Sequence, residues 1–463
     1  MKNSFLLYLL LLSLFLGCTP DKENFPEPEI LQHDQLISFK FLKEHNPQLD
    51  ADVVATFAGN VVQVDLPSSA CTDSLVATFE TKHHAKLFVG KREQQSGVTA
   101  NAFAGQVAYK VIRPDRTLQH YNVDALQSFP ELDKKLTMLM QQYRIPGLSI
   151  AIARNEKLVF AKSYGYASKE RKDPVHNASL FRIASISKPI TAIAILKLVQ
   201  DRKISLDDYV FGPNSILGNN FGIPPAGSAV SQITVQHLLN HTSGWTNEPT
   251  DPMLTHVSRS QKQIITEAVQ GRQLKYKPGS TYSYSNLGYC ILGRVIEKVT
   301  GKAYEEYVRT ALLLPAGVES MVIGGSTAAQ RLPEEVTYYQ QEWNPYSLNI
   351  SRMDAYGGWL ATASDLMRLM VRIDRNPAKP DLIESPLLSQ FYFGASNWFH
   401  SGSLPGSSAF ITRLNDEYSL VMLANTRDNT DGTLFFKEFY YAARANIVAK
   451  REWTTLDLFE YNI

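Results

Sequence analysis

Phe181-Arg182-Ile183-Ala184-Ser185-Ile186-Ser187-Lys188-Pro189-Ile190-Thr191 is the segment from which the rest of the chain can be read. It leads into residues 190–199, which are apolar on nearly every face, so the helix it begins is expected at the centre of a fold rather than on its surface. Pro189 falls in the first turn, where a missing N–H costs least. Ser185 and Lys188 stand three apart and share one face, with the hydroxyl near the positive end of the helix dipole. A serine hydroxyl is inert until a base takes its proton, and a lysine takes it only when burial or nearby cations lower its pKa. A helix buried all round offers that burial. Taken alone, Ser-x-x-Lys is a common spacing, and a surface lysine in a first turn is the plain alternative.

Two later segments carry matching chemistry. In Pro278-Gly279-Ser280-Thr281-Tyr282-Ser283-Tyr284-Ser285-Asn286, the last three residues precede an apolar helical pattern and would bring a phenol and an amide to a cleft. A tyrosine, with a reference pKa near 10, acts as a base only beside a cation, and Lys188 could supply it. In Trp398-Phe399-His400-Ser401-Gly402-Ser403, a glycine lets a strand backbone approach a ligand closely, and such an edge can donate an N–H to an oxyanion.

Around these segments the hydrophobic period divides the chain. From Leu36 to Val123 apolar residues alternate, as in Ile37/Phe39/Phe41, Val62/Val64/Leu66, Leu75/Ala77/Phe79 and Val107/Tyr109/Val111, with turns at Gly59-Asn60, Pro67-Ser68 and Pro114-Asp115. The pattern predicts an all-β, immunoglobulin-like sandwich over residues 36–126. His83 and His84 are adjacent, point to opposite faces of a strand and cannot chelate together. At Ser128-Phe129-Pro130-Glu131 a capping box opens a helix with Leu132, Leu136, Leu139, Met140 and Tyr143 on one face, and a second domain is assigned to residues 127–463. Strands are expected at Leu148–Ala153 and Lys157–Tyr164, turning at Asn155-Glu156, and at Ala409–Leu414 and Tyr418–Asn425, followed by a helix from about Thr433 to Val448. Both chain ends of this α/β domain therefore build one antiparallel sheet flanked by terminal helices, with residues 185 to about 319 forming a helical lobe.

The first 18 residues read as an export signal: Lys2, then a 12-residue apolar run from Phe5 to Leu16, too short to span a membrane. Its end, Leu14-Phe15-Leu16-Gly17-Cys18, resembles the lipobox of bacterial lipoproteins, with Phe15 where leucine is usual; the resemblance implies lipidation of Cys18. Residues 19–35, with Pro20, Pro26 and Pro28 among acidic residues, read as an extended tether. An exported lipoprotein of the periplasm, outer membrane or cell surface is expected, held to the membrane by its lipid anchor.

From about Leu132 to Val448 the chain resembles the serine β-lactamase and penicillin-binding-protein superfamily, in its class C and β-lactamase-related hydrolase branch. The three segments above carry the likeness, together with Ile145-Pro146-Gly147, Lys203-Ile204-Ser205-Leu206-Asp207-Asp208, His237-Leu238-Leu239-Asn240-His241-Thr242-Ser243-Gly244 and Gly357-Gly358-Trp359 through Ser364-Asp365. The resemblance implies Ser185 as the acylated nucleophile and Lys188 and Tyr284 as the pair sharing its activation, their division of the proton left open. It also implies Asn286 on the substrate amide, and Ser185 and Ser403 N–H groups as an oxyanion hole beside Gly402. The family usually has lysine where this chain has His400. A histidine is mostly neutral at pH 7 and attracts a carboxylate less well, so efficient β-lactam hydrolysis is discounted.

Composition limits the alternatives. The 463 residues are 44% hydrophobic and 20% charged, and 46 Lys and Arg nearly cancel 45 Asp and Glu, which leaves no field to recruit nucleic acid. Cys18, Cys71 and Cys290 exclude a disulfide scaffold or multi-thiolate metal site, and Cys290 reads as a core thiol. His237 and His241 are spaced i, i+4 but lack the following glutamate of a zinc-protease motif; His241 is read as capping the end of its helix. No Gly-x-Ser-x-Gly elbow occurs, and Trp245 and Trp359 could line a cleft or pack. The reading is a serine hydrolase of amide or ester substrates, peptides derived from the cell wall among them, with no metal or cofactor. The alternatives are a carboxylesterase and a non-catalytic binding protein.

Overall fold

The computed structural model describes residues 35–460 except 65, 67–71, 73, 83–84, 104–105, 113–117, 126–128, 390–397, 428–433, 451–452 and 454–456. The expected signal, Cys18, the tether short of residue 35, Cys71, His83, His84, the turns at Pro67-Ser68 and Pro114-Asp115, and Ser128 lie outside the described residues. Among the described residues no helix is long and apolar enough to cross a membrane.

The N-terminal region is rich in strands. Leu36–Phe41 lies between Val53–Val54 and Thr78–Thr81, while a six-stranded sheet runs in the order Thr56–Ala58, Val61–Val64, Leu118–Ala125, Gln106–Ile112, Lys86–Val89, Arg92–Gln94. Val61–Val64 pairs in parallel with Leu118–Ala125. Because side chains alternate along a strand, Val107, Tyr109, Val111, Tyr121 and Val123 all turn inward and meet Phe39, Phe41 and Phe103 in one apolar cluster. Ile37 departs from the expected inward set. A register shift between Leu36 and Ser38 lets Leu36 turn inward, leaving Ile37 exposed.

The larger unit is built on a sheet ordered Asp173–Pro174, Lys157–Ser168, Gly147–Arg154, Tyr418–Ala424, Ser407–Arg413, Trp398–Leu404, antiparallel throughout. Period two sorts its faces. Leu148, Ile150, Ile152, Leu420 and Met422 pack under the helices Pro130–Gln142 and Leu434–Ala449, whereas Ala151, Ala153, Val421 and Leu423 face the helical lobe. Asn155 and Glu156 both take positive φ, 47° and 67°, the mirror-image turn whose twist suits a hairpin. The first helix starts at Pro130 with Phe129 as its N-cap and no side-chain cap bond. In the lobe, Ser187–Gln200 is enclosed from Ser187 to Leu196, as its all-round apolar pattern requires.

The two units meet through buried amides. Gln106 Nε2 donates to Ser163 O (3.4 Å) and Ser163 N donates to Gln106 Oε1 (3.2 Å). Asn122 Nδ2 donates to Val175 O (2.7 Å), and Asn177 Nδ2 donates to Gln106 O (2.8 Å). Buried donors and acceptors deprived of partners carry the desolvation cost in full. Gln106→Ala is therefore expected to lower stability by about 2 kcal/mol, read as an earlier urea midpoint. An unchanged midpoint would show that the Gln106 side-chain bonds contribute nothing to stability.

Candidate active site

The segment before the central helix folds through one strained residue. Phe181–Arg182 pairs with Trp359–Ala361 as a short strand, Ala184 takes φ +49°, and Ala184–Ile186 forms a 3-10 turn that leads into the helix at Ser187. A non-glycine residue in that region costs on the order of 1–3 kcal/mol, a strain that persists where surrounding packing imposes it. The packing here comes from the edge strand: a Cβ on Gly402 would stand 2.1 Å from Ile183 O and 3.1 Å from the Ala184 Cβ. Only glycine allows Trp398–Leu404 to lie against the turn that presents Ser185; the closeness the sequence suggested toward a ligand is here toward the chain's own backbone.

Ser185 Oγ accepts a hydrogen bond from Tyr284 Oη at 2.7 Å and lies 3.3 Å from Lys188 Nζ. Lys188 is buried, its Nζ donating to Tyr356 O at 2.8 Å and standing 4.7, 5.9 and 5.8 Å from the ring centres of Tyr284, Tyr289 and Tyr356. Burial lowers the amine to about 7, against the opposing pull of the Asp251 carboxylate. Burial raises the Tyr284 phenol to about 12, partly offset by its hydrogen bond to Ser185. Near neutral pH the protonated and neutral amine thus coexist while the tyrosine keeps its proton. A deprotonated amine at this place can accept the hydroxyl proton, and the phenol, which stays protonated, can hand its proton only to a more basic departing group.

His400 Nε2 donates to the backbone carbonyl of Ser185 at 3.0 Å. Burial, followed by the charge of Lys188, lowers its pKa to about 4, so it is neutral around pH 7 and offers no cation to a substrate carboxylate. Ser403 is half-buried on the same edge strand, in register with Ser408. Asn286 opens the helix Asn286–Thr300 behind Ser285, which caps it by accepting from Gly288 N; Asn286 Nδ2 donates to Asp251 Oδ2 at 2.6 Å. The site thus unites Ser185, Lys188, Tyr284 and His400 directly, while Asn286 is tied into the same wall through Asp251.

Two neighbours of the site had no part in the chemistry expected from the sequence. His241, read as a helix cap, follows a helix that ends at Leu239 with Asn240 as its C-cap. With φ +57°, it turns its imidazole onto Tyr284 (ring centres 4.7 Å apart), and its Nδ1 accepts from Ser285 N at 3.0 Å. The capping expectation holds in the backbone: His241 takes the left-handed position just past the C-cap, its N–H donates to Leu238 O at 3.3 Å and Thr242 N donates to His237 O at 2.8 Å, while the place of its imidazole beside Tyr284 lay outside that reading. His237 instead completes a capping box with Thr234 at the helix start. Asp251 was invisible for another reason: its bond to Asn286 joins positions 35 apart. Trp245 and Trp359 are fully buried packing residues, and Cys290 is a core thiol raised to about 12 by burial.

A mixed α/β fold with a serine, lysine and tyrosine gathered beneath a glycine-bearing edge strand defines the β-lactamase and penicillin-binding-protein superfamily. The chain belongs to the Beta-lactamase family, whose model matches residues 132–435. It is 28% identical over 321 residues to protein flp of Staphylococcus aureus (strain N315), an alignment covering 64% of this chain and 62% of flp. Among solved structures it is similar to a class C β-lactamase (TM-score 0.55, 20% identity, 70% of this chain and 96% of that one). It is also similar to the D-alanine carboxypeptidase AmpC of Burkholderia cenocepacia (TM-score 0.51, 20% identity, 69% and 97%). Homologues in this family are serine hydrolases.

Gly402→Ala must push the edge strand off the Ser185 turn. It is expected to leave the protein folded by circular dichroism while slowing modification of Ser185 by a fluorophosphonate about 100-fold or more, because an ångström of misplacement costs that much. Labelling at the wild-type rate would show that the strand's closeness is incidental.

Proposed function

We propose that this chain is a lipid-anchored, exported serine hydrolase that cleaves an amide or ester through an acyl-enzyme on Ser185. The observation that supports this most is the convergence of Tyr284 Oη at 2.7 Å and Lys188 Nζ at 3.3 Å on one serine oxygen. In this reading Lys188 is the base. Its amine, lowered to about 7 by burial, takes the Ser185 proton, and Oγ attacks the substrate carbonyl. Tyr284, raised to about 12, remains protonated and relays a proton to the departing amine or alkoxide. The N–H groups of Ser185 and Ser403 receive the oxyanion, and Asn286 meets the substrate amide, its side chain aligned by Asp251. Water then releases the acyl group.

The substrate class follows from His400. With a neutral imidazole bonded to the Ser185 carbonyl, the site has no cation there to draw in a free carboxylate, which disfavours efficient penicillin or cephalosporin turnover. Small esters, and D-residue or cell-wall-derived peptides that present no free carboxylate at that position, suit it better. The N-terminal strands are read as an immunoglobulin-like spacer that stands the catalytic domain off the membrane anchored at Cys18.

Acylation should accelerate as pH rises through about 7 and level off above it, because the reactive form is the deprotonated amine. A profile still climbing steeply beyond pH 9 would assign the proton to a group other than Lys188. Fluorophosphonate is expected to label the wild type and not Ser185→Ala, and Tyr284→Phe should lose about 100-fold or more in rate. No labelling of the wild type contradicts the hydrolase reading. Short p-nitrophenyl esters compared with D-alanyl peptides separate an esterase from a peptidase, and rapid nitrocefin turnover would overturn the inference from His400.

A further inference from the structure

We infer that His120, His176 and Glu334 form a binding site for one divalent transition-metal ion of the zinc type, which bridges the N-terminal strands and the catalytic domain. The three residues come from separate parts of the chain: His120 from the strand Leu118–Ala125, His176 from the loop after Asp173–Pro174, and Glu334 from the segment whose backbone carbonyl accepts Leu180 N at 2.8 Å. No metal-ligand spacing in the sequence points to them, which is why no metal was expected. Among the described residues this is the one group of three metal-ligating side chains whose donor atoms all lie within 4.8 Å of one another.

The separations suit zinc. His120 Nε2 and His176 Nε2 stand 3.4 and 3.3 Å from the same oxygen, Glu334 Oε2. In a tetrahedral zinc site with bonds near 2.0–2.1 Å, neighbouring donors are about 3.3 Å apart. Two imidazoles and a carboxylate are also a donor set that borderline divalent ions favour over calcium or magnesium. His120 Nε2 and Glu334 Oε2 are buried, make no well-formed hydrogen bond and face only each other and the buried His176, so the cluster presents its donor atoms to one another with little to satisfy them. Beside them opens a cavity of about 250 Å³, lined also by Lys110 and Asp365, which gives an ion and a completing water room to enter.

Two features set the terms of binding. The imidazole rings are stacked with centres 4.1 Å apart and planes 25° apart, so both lone pairs reach one ion only after the rings rotate. Lys110 Nζ lies 3.1 Å from Glu334 Oε1, leaving Oε2 to the metal but opposing its charge. The interface amides of Asn122 and Asn177 hold the flanking backbone, so a bound ion would fasten a junction that is already aligned.

The test uses the untagged full-length chain, stripped with a chelator and titrated with Zn2+ or Co2+. One equivalent is expected to bind, with a rise in melting temperature and, for Co2+, the visible absorption of a low-coordinate ion. His176→Ala and Glu334→Gln should each weaken Zn2+ binding about 100-fold or more, and Lys110→Gln should strengthen it several-fold. Circular dichroism of each variant verifies folding. X-ray absorption of the Zn2+-loaded wild type reads the site without any substitution, and should show two imidazoles and oxygen at about 2.0–2.2 Å. Substoichiometric uptake, a shell with fewer than two imidazoles, or binding unchanged in folded His176→Ala and Glu334→Gln proteins would overturn the inference.

Discussion

A lysine nitrogen sealed under three tyrosine rings and set against one serine oxygen is the constraint on which this molecule depends. An ammonium group is costly to bury, and here burial shifts the balance toward the neutral amine until the two forms coexist near pH 7. That requires a dry surrounding, and the helical lobe supplies it. Ser187–Gln200 must be enclosed on every side for Lys188 to be enclosed at its first turn. The carbonyl of Tyr356 and the more distant carboxylate of Asp251 are the concessions that keep the protonated form from being expelled altogether.

The same constraint explains the local backbone. To point Ser185 Oγ at both Lys188 and Tyr284, the chain leaves a strand, passes through a left-handed alanine and tightens into a 3-10 turn before the helix begins. Such a turn stays in place because Gly402 lets the sheet edge press against it, while His400 holds the serine carbonyl from that edge. Strain and support therefore come from segments more than two hundred residues apart that touch directly at Gly402 and His400.

This division also decides what could be read in advance. The central helix, the sheet strands and the Ser185, Lys188, Tyr284 grouping were legible, because each is announced by local periodicity or by a short motif whose chemistry demands those residue types. Ile37 misled because a register shift is a matter of strand pairing and leaves no mark on alternation. His241 was legible only as a helix cap, because the seat of its imidazole on Tyr284 and Ser285 is set by packing from another segment and leaves no mark on the helix it closes. Asp251, and the group formed by His120, His176 and Glu334, could not be seen at all; their partners meet only after the domains fold and dock.

The most direct measure of the central claim is the titration of Lys188 itself, followed by NMR in protein carrying 13C-labelled lysine, with Lys188→Arg to assign the signal. A midpoint near 7 is expected. A midpoint close to 10.4, the value of an exposed lysine, would contradict it.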